Sequence, residues 1–343
     1  MLENVRSRVR APVRRGLVLG GGGTLGAAWI IGALCALEES RGVDARDCQL
    51  IVGTSAGSIL AALLGAGAAA EDLWEHQRGH EVADGPLAGR TFDYDQAAGG
   101  AAPPLPIPGI GSPRLIARSV RHPRRYAGTA VLSAFVPPGR GSLGDIGRMV
   151  EDVIPSGTWS PHPGIRIVAM DYDSGERVVF GHQGAPAIGL AEAVVASCSI
   201  PGWFPPARIG QRRFVDGGTI SNTNVDLLRP EALPGGQPLD EVYVLAPMAA
   251  RGYDRPSSVI GRIERGYRHR VTRQMLQEVI RVRQEGDTTV TVLCPDAEDL
   301  EVLGTNLMDP SRRVEVLDTA RRTVGAALAS ERTDQPEATA PRR

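Results

Sequence analysis

The sequence predicts an α/β domain built on a mostly parallel sheet, and three observations predict it. Residues 16–19 form a short apolar run that enters a glycine loop and leaves it as a helix-like segment, residues 25–39. A second unit repeats the pattern: an apolar run at 48–52, a tight Gly-Thr-Ser-Ala-Gly turn, and a helix-like run at 58–64. Successive strand–turn–helix units of this kind favour parallel strand pairing. Finally, 343 residues are enough to bury a sizeable core, as one large domain or two smaller ones.

Taken in order, residues 1–15 read as a basic N-terminal arm. The uncharged run 16–37 that follows has the outline of a signal peptide or a membrane span. Its four consecutive glycines, Gly20 to Gly23, argue instead for strand, loop and helix, and Leu34 before Cys35 fits a lipoprotein cleavage site poorly. In the helix, Trp29, Ile30, Ala33, Leu34 and Leu37 recur at helical spacing. Residues 16–330 read as one domain. Within it, 84–144 is rich in proline, glycine and arginine without long periodic segments, which marks an insertion or a lid.

Regular structure resumes with a hairpin, 165–170 and 177–180, around Asp173-Ser174-Gly175. A helix is expected at 190–196 and a short strand at 213–215, running into Asp216. Further strands are expected at 242–245 and 289–293. Residues 257–283 read as one amphipathic helix with Ile263, Tyr267, Val271, Met275 and Val279 at intervals of four, surrounded by arginines. Residues 331–343 are polar and read as a disordered tail.

Charge and composition remove several function classes. The formal net charge is −1, which gives no footprint for nucleic acid. Every one of the 38 strongly basic residues is arginine, and the absence of lysine excludes a P-loop lysine, a Schiff base and a Ser-Lys dyad. Cys35, Cys48, Cys198 and Cys294 form no Cys-x-x-Cys pair and read as small buried side chains in a reducing, cytoplasmic setting. His76 and His80 have metal-like spacing, but no carboxylate–histidine cluster accompanies them, so no metal or other cofactor is expected.

Three motifs carry the chemistry. Ser55 lies between Gly53 and Gly57 on a sharp strand-to-helix turn, which lifts its hydroxyl toward a substrate. Gly21, Gly22 and Gly23, with Gly26 supporting the motif, form a loop opening a helix, and the backbone N–H groups of Gly21, Gly22 and Gly23 are the expected oxyanion donors, aided by the helix N-terminus. The same spacing matches a dinucleotide fingerprint, with Glu38, Glu39 or Asp44 as the ribose-binding acid. The serine turn one unit later favours acyl chemistry.

A serine hydroxyl needs a base. A triad in the order serine, acid, histidine fails here, because the only histidine after Asp216 is His269, flanked by Arg268 and Arg270 on the basic helix. A lone carboxylate held against the hydroxyl in a dry site remains. Asp216, followed by Gly217 and Gly218 at the end of a strand, is the candidate.

Together these motifs resemble the patatin-like phospholipases, a family of lipid acyl hydrolases. The matching stretches are 16–37, 51–66, 196–206 and 214–222, with the hairpin at 171–181 also similar. The resemblance implies a three-layer α/β/α fold with a central mostly parallel sheet. It implies a Ser-Asp dyad, Ser55 as nucleophile and Asp216 as base and then acid, acting on a lipid ester without calcium. Many members carry Arg or Lys where this chain has Leu25, so the oxyanion would rest on backbone donors alone. Phospholipid is the expected partner. An arginine-rich surface, on the 257–283 helix or the 103–126 segment, would offer peripheral membrane contact. An acyltransferase or thioesterase with the same dyad stays open, as does a non-catalytic membrane-associated or nucleotide-binding protein.

Overall fold

A computed structural model describes residues 12–94, 102, 104–106, 108–250 and 259–333. Most of the basic arm, Pro103, Ile107, the start of the 257–283 segment and the tail from 334 onward lie outside the described residues. Arg15 belongs to the first strand rather than to the arm.

The core is an eight-stranded sheet. Five strands run parallel: β1 (Arg15–Leu19), β2 (Leu50–Thr54), β3 (Ile165–Asp171), β7 (Glu241–Leu245) and β8 (Thr289–Leu293), adjacent in the order β3-β2-β1-β7-β8. Antiparallel additions are β4 (Arg177–Phe180), β5 (Ala207–Ile209) and β6 (Arg212–Asp216). The parallel strands are nearly continuous apolar runs because both faces are covered. Leu17, Leu19, Ile51, Ile167 and Leu245 face one core, while Val18, Val52, Val168, Val242 and Val244 face another. Helices on both faces give the three-layer α/β/α arrangement expected from the sequence.

On the first face lie α1 (Gly23–Arg41), α2 (Ala56–Gly65), α3 (Ala70–Gln77), α6 (Gly144–Val153) and α7 (Leu190–Cys198), with α9 (Ala297–Leu303) and α10 (Arg313–Thr333). Helix α1 is buried almost all round because it sits between the sheet and α10. A Cβ on Gly32 would lie 2.4 Å from the Leu317 carbonyl oxygen, so the two helices approach backbone to backbone. Helix α10 extends to Thr333, so the first residues of the expected tail are helical. On the second face, α8 (Val259–Gly286) packs Met275, Val279 and Val282 inward.

The 84–144 segment departs from the structure-poor reading. It contains α4 (Pro113–Arg121) and α5 (Gly128–Phe135). Leu115, Ala130 and Ala134 form a small core with Met170, Tyr172 and Val215. Tyr172 donates its hydroxyl to the Ser133 carbonyl at 2.7 Å, and Thr129 donates to the Thr219 carbonyl at 2.6 Å. The segment is therefore docked on the ends of β3 and β6.

The uncharged run 16–37 is β1, a loop and α1, and among the described residues no helix is long and apolar enough to cross a membrane.

Candidate active site

Strand register brings Ser55 and Asp216 together. Strand β2 pairs with the first part of β3 and ends at Thr54 opposite Val168. Strand β6 runs the other way and ends where β2 stops, with its last residue, Asp216, opposite Ala169. Because β4 overlaps both along residues 167–170 of β3, it occupies the opposite edge. The ends of β2 and β6 thus meet head to head along one edge of β3, and the next residue after Thr54 is Ser55.

Ser197 fills the junction. Its hydroxyl donates to the Val168 carbonyl at 2.6 Å and accepts the Ser55 N–H at 2.9 Å. Asn224 steadies the strand below, donating its side-chain amide to Thr54 Oγ1 at 3.0 Å. Ser55 itself has φ 53° and ψ −124°, a conformation that ordinary side chains rarely adopt. The surrounding glycines make that turn sterically possible. A Cβ on Gly57 would lie 2.1 Å from the Leu19 carbonyl oxygen, and one on Gly53 would lie 2.6 Å from that of Gly57. Gly217 is equally constrained, 2.5 Å from the Val168 carbonyl.

Both reactive side chains are buried, each 6% exposed. The Asp216 carboxylate accepts the Gly218 N–H at 2.7 Å. The Ser55 hydroxyl also faces the carboxylate and interacts with it as a hydrogen-bond donor. Burial raises its pKa from 3.8 to about 6, against the opposing influence of the Ser55 hydroxyl and the Gly218 amide. A carboxylate in this range is a competent proton acceptor near neutral pH.

The glycine loop stands beside them, but its amides are not equivalent. Gly21 donates its N–H to the Asn222 carbonyl at 3.1 Å, which removes it from the expected oxyanion donors. The N–H groups of Gly22 and Gly23 have no acceptor among the described residues and sit at the N-terminus of α1. Gly26 closes the first turn, donating to the Gly22 carbonyl at 2.9 Å. Leu25 is fully buried, and its N–H is held by the Leu307 carbonyl at 2.9 Å.

Two cavities meet at Ser55. An outer cleft is bounded by Asp216, Asn222, Trp203, Leu132 and Tyr267. An inner, largely apolar pocket is lined by Ala27, Ile31, Ile59, Leu63, Phe92 and Met149, among others. Gly23, Ser55, Ile200 and Met308 belong to both.

The histidines play other parts. His76 is buried with Nδ1 2.5 Å from the Tyr94 hydroxyl, and burial lowers its pKa. His80 is exposed and pairs with Glu75. The two do not converge, and among the described residues no group of three ligating side chains forms a metal site. Arg268, counted with the basic surface, is 4% exposed, paired with Glu264 and donating to the Pro247 carbonyl at 2.8 Å. Ser197, Asn222 and Asn224 were not singled out from the sequence, although Ser197 and Asn222 lie within its recognisable stretches.

The family model described as patatin-like phospholipase matches residues 17–229. The search of curated proteins finds no match. Among solved structures, VipD from Legionella pneumophila is 13% identical with a TM-score of 0.48, covering 93% of this chain and 67% of that one. The type III effector ExoU is 16% identical with a TM-score of 0.35, covering 93% of this chain and 53% of its own. The ExoU–SpcU complex from Pseudomonas aeruginosa matches at 15% identity and a TM-score of 0.28, covering 94% and 60%. This chain thus spans about half to two thirds of the structures it matches. The glycine loop, the Ser55 turn and Asp216–Gly218 all fall inside the matched region, and the chain belongs to the patatin-like phospholipase family, whose membership supports lipid hydrolase activity.

Proposed function

We propose that the protein hydrolyses carboxylic esters of phospholipids or lysophospholipids through a Ser55–Asp216 dyad. The observation that carries this reading is the meeting of a strained serine with a buried, proton-hungry carboxylate at the mouth of an apolar pocket. Asp216 accepts the Ser55 proton as Oγ attacks the ester carbonyl carbon. The developing oxyanion takes hydrogen bonds from the Gly22 and Gly23 amides. Collapse expels the alcohol, which takes the proton from Asp216 and leaves an acyl-Ser55. Water then gives its proton to Asp216 and attacks the acyl carbon, and the released serine recovers the proton.

The buried Leu25 supplies no charge, so the oxyanion relies on backbone donors and the α1 terminus. The inner pocket receives the acyl chain. Membrane contact is part of the proposal. Leu105, Ile110, Val120, Leu132 and Phe135 are exposed, all on the docked insertion, and Leu132 borders the cleft. Exposed Arg118, Arg121 and Arg124 lie on the same segment. Such a surface suits an anionic bilayer. A cytoplasmic location with peripheral membrane contact is consistent with this chemistry.

The test is a panel of phospholipid and lysophospholipid esters with Ser55→Ala as control. Release of free fatty acid by the wild type and none by Ser55→Ala is expected. Equal release by both would remove the serine mechanism.

A further inference from the structure

Asn222 stands on the wall of the outer cleft with a side-chain amide that the proposed chemistry does not use. Its backbone carbonyl accepts the Gly21 N–H at 3.1 Å, which ties it to the glycine loop. The side chain is engaged at neither end. Oδ1 is buried with no hydrogen-bond partner. Nδ2 also meets no acceptor among the described residues, and it stays open to the cleft. The Asp216 carboxylate does not take it up, because its own donors are the Ser55 hydroxyl and the Gly218 amide.

The neighbouring glycines locate the two ends of the amide. A Cβ on Gly21 would lie 3.0 Å from Nδ2 and 3.2 Å from the Ser55 Cβ. One on Gly218 would lie 3.7 Å from Nδ2 and 3.0 Å from Asp216 Oδ1. Nδ2 thus shares its immediate surroundings with both members of the dyad, and Gly21, Gly218, Ser55 and Asp216 all line the cleft. Oδ1 points the other way, 3.3 Å from where a Cβ on Gly20 would stand. The amide therefore runs from the interior beside Gly20 to the cleft wall between Gly21 and Gly218, donor outward. Ser221 and Thr223, buried on either side, hold the backbone that carries it.

A buried carbonyl oxygen without a partner is destabilising, and native interiors rarely leave one. An apolar side chain of the same size would avoid it, so stability does not account for the asparagine. The reaction, in contrast, has a use for an N–H donor here. Negative charge develops on the ester oxygen beside Ser55, the Gly21 amide is engaged, and Leu25 supplies no cation. We propose that Asn222 is a catalytic residue whose Nδ2 donates a hydrogen bond to the oxyanion, alongside the Gly22 and Gly23 amides. This rests on the reading of Ser55 as an acyl-transfer nucleophile and adds a side-chain donor to its backbone ones. The donor is in place before substrate arrives, so it stabilises the transition state without reorganisation.

The test compares wild type, Asn222→Ala and Asn222→Leu in two assays. One is hydrolysis of a lysophospholipid ester. The other is inhibition by a long-chain trifluoromethyl ketone, which adds to the serine and carries an oxyanion. In both variants kcat should fall roughly 100-fold or more with KM about unchanged, and the ketone inhibition constant should rise by a similar factor. The ascending pH limb near 6, set by Asp216, should stay where it is. The urea midpoint of Asn222→Leu should not fall, since the replacement removes the orphaned Oδ1. The proposal is overturned if either variant keeps kcat within a few-fold of wild type, or if the ketone inhibits both as tightly as wild type. Lost activity with a displaced pH limb, or with a lowered midpoint in both variants, would also overturn it and make Asn222 a positioning residue. A wild type that neither hydrolyses the ester nor takes the ketone removes the serine reading and this proposal together. An active wild type with equally active variants removes the donor alone.

Discussion

Replacing Asp216 with asparagine should stabilise the protein while removing its activity, and the stabilisation should depend on pH in a defined way. Burial lifts the Asp216 carboxyl from 3.8 to about 6. Between those pH values the folded protein retains a proton that the unfolded chain releases. The stability this contributes is complete below about pH 4 and is lost as pH rises through about 6. The interval, at about 1.4 kcal/mol per pH unit, corresponds to roughly 3 kcal/mol. Asparagine is nearly isosteric, stays neutral throughout, and its Oδ1 can still accept the Gly218 N–H that the carboxylate holds at 2.7 Å. Urea unfolding of both proteins from pH 4 to 8 measures the effect, and other titrating groups cancel in the difference. Near pH 4 the two should be about equally stable. By pH 8, Asp216→Asn should lead by roughly 3 kcal/mol. Parallel profiles would mean that Asp216 is well solvated, and the case for a tuned base would collapse.

Gly57→Ala should destabilise by more than about 4 kcal/mol or prevent folding, because the new methyl would lie 2.1 Å from the Leu19 carbonyl oxygen of β1. A shift in urea midpoint worth under about 1 kcal/mol would contradict the close approach. Gly266→Ala, in α8 with open space around it, should instead stabilise by about 0.5–1 kcal/mol; a loss in the same assay would contradict that. Co-sedimentation with anionic liposomes should fall as salt rises, and Leu132→Ser with Phe135→Ser should weaken it several-fold. Salt-independent binding would argue against the arginine surface.

Much of the site was legible because its glycines answer to local backbone geometry. Gly53, Gly57 and Gly217 each stand where a Cβ would strike a neighbouring main chain, so the turns that present Ser55 and Asp216 leave a mark in the sequence. The sheet was legible for a related reason: strands buried on both faces read as apolar runs. What the sequence could not carry was register. That β2 and β6 meet head to head on β3 depends on pairings between distant segments. Ser197, which seals that junction, therefore looked like any other helix-end serine. The engagement of the Gly21 amide by Asn222 was hidden in the same way, and Gly21 read like its neighbours. The insertion misled because its apolar residues serve two purposes. Leu115 enters a small core while Val120 and Leu132 face outward, which breaks the periodicity expected of a packed helix.

The central claim is that Ser55 is activated by a carboxylate rather than a histidine. The most direct measurement is the rate at which a fluorophosphonate labels Ser55 across pH 4 to 8, in wild type, Asp216→Asn and His269→Ala. The account predicts a single ascending limb near pH 6 for wild type, matching the raised pKa of Asp216. His269→Ala should be unchanged and Asp216→Asn should be essentially unlabelled. Undiminished labelling of Asp216→Asn would contradict it.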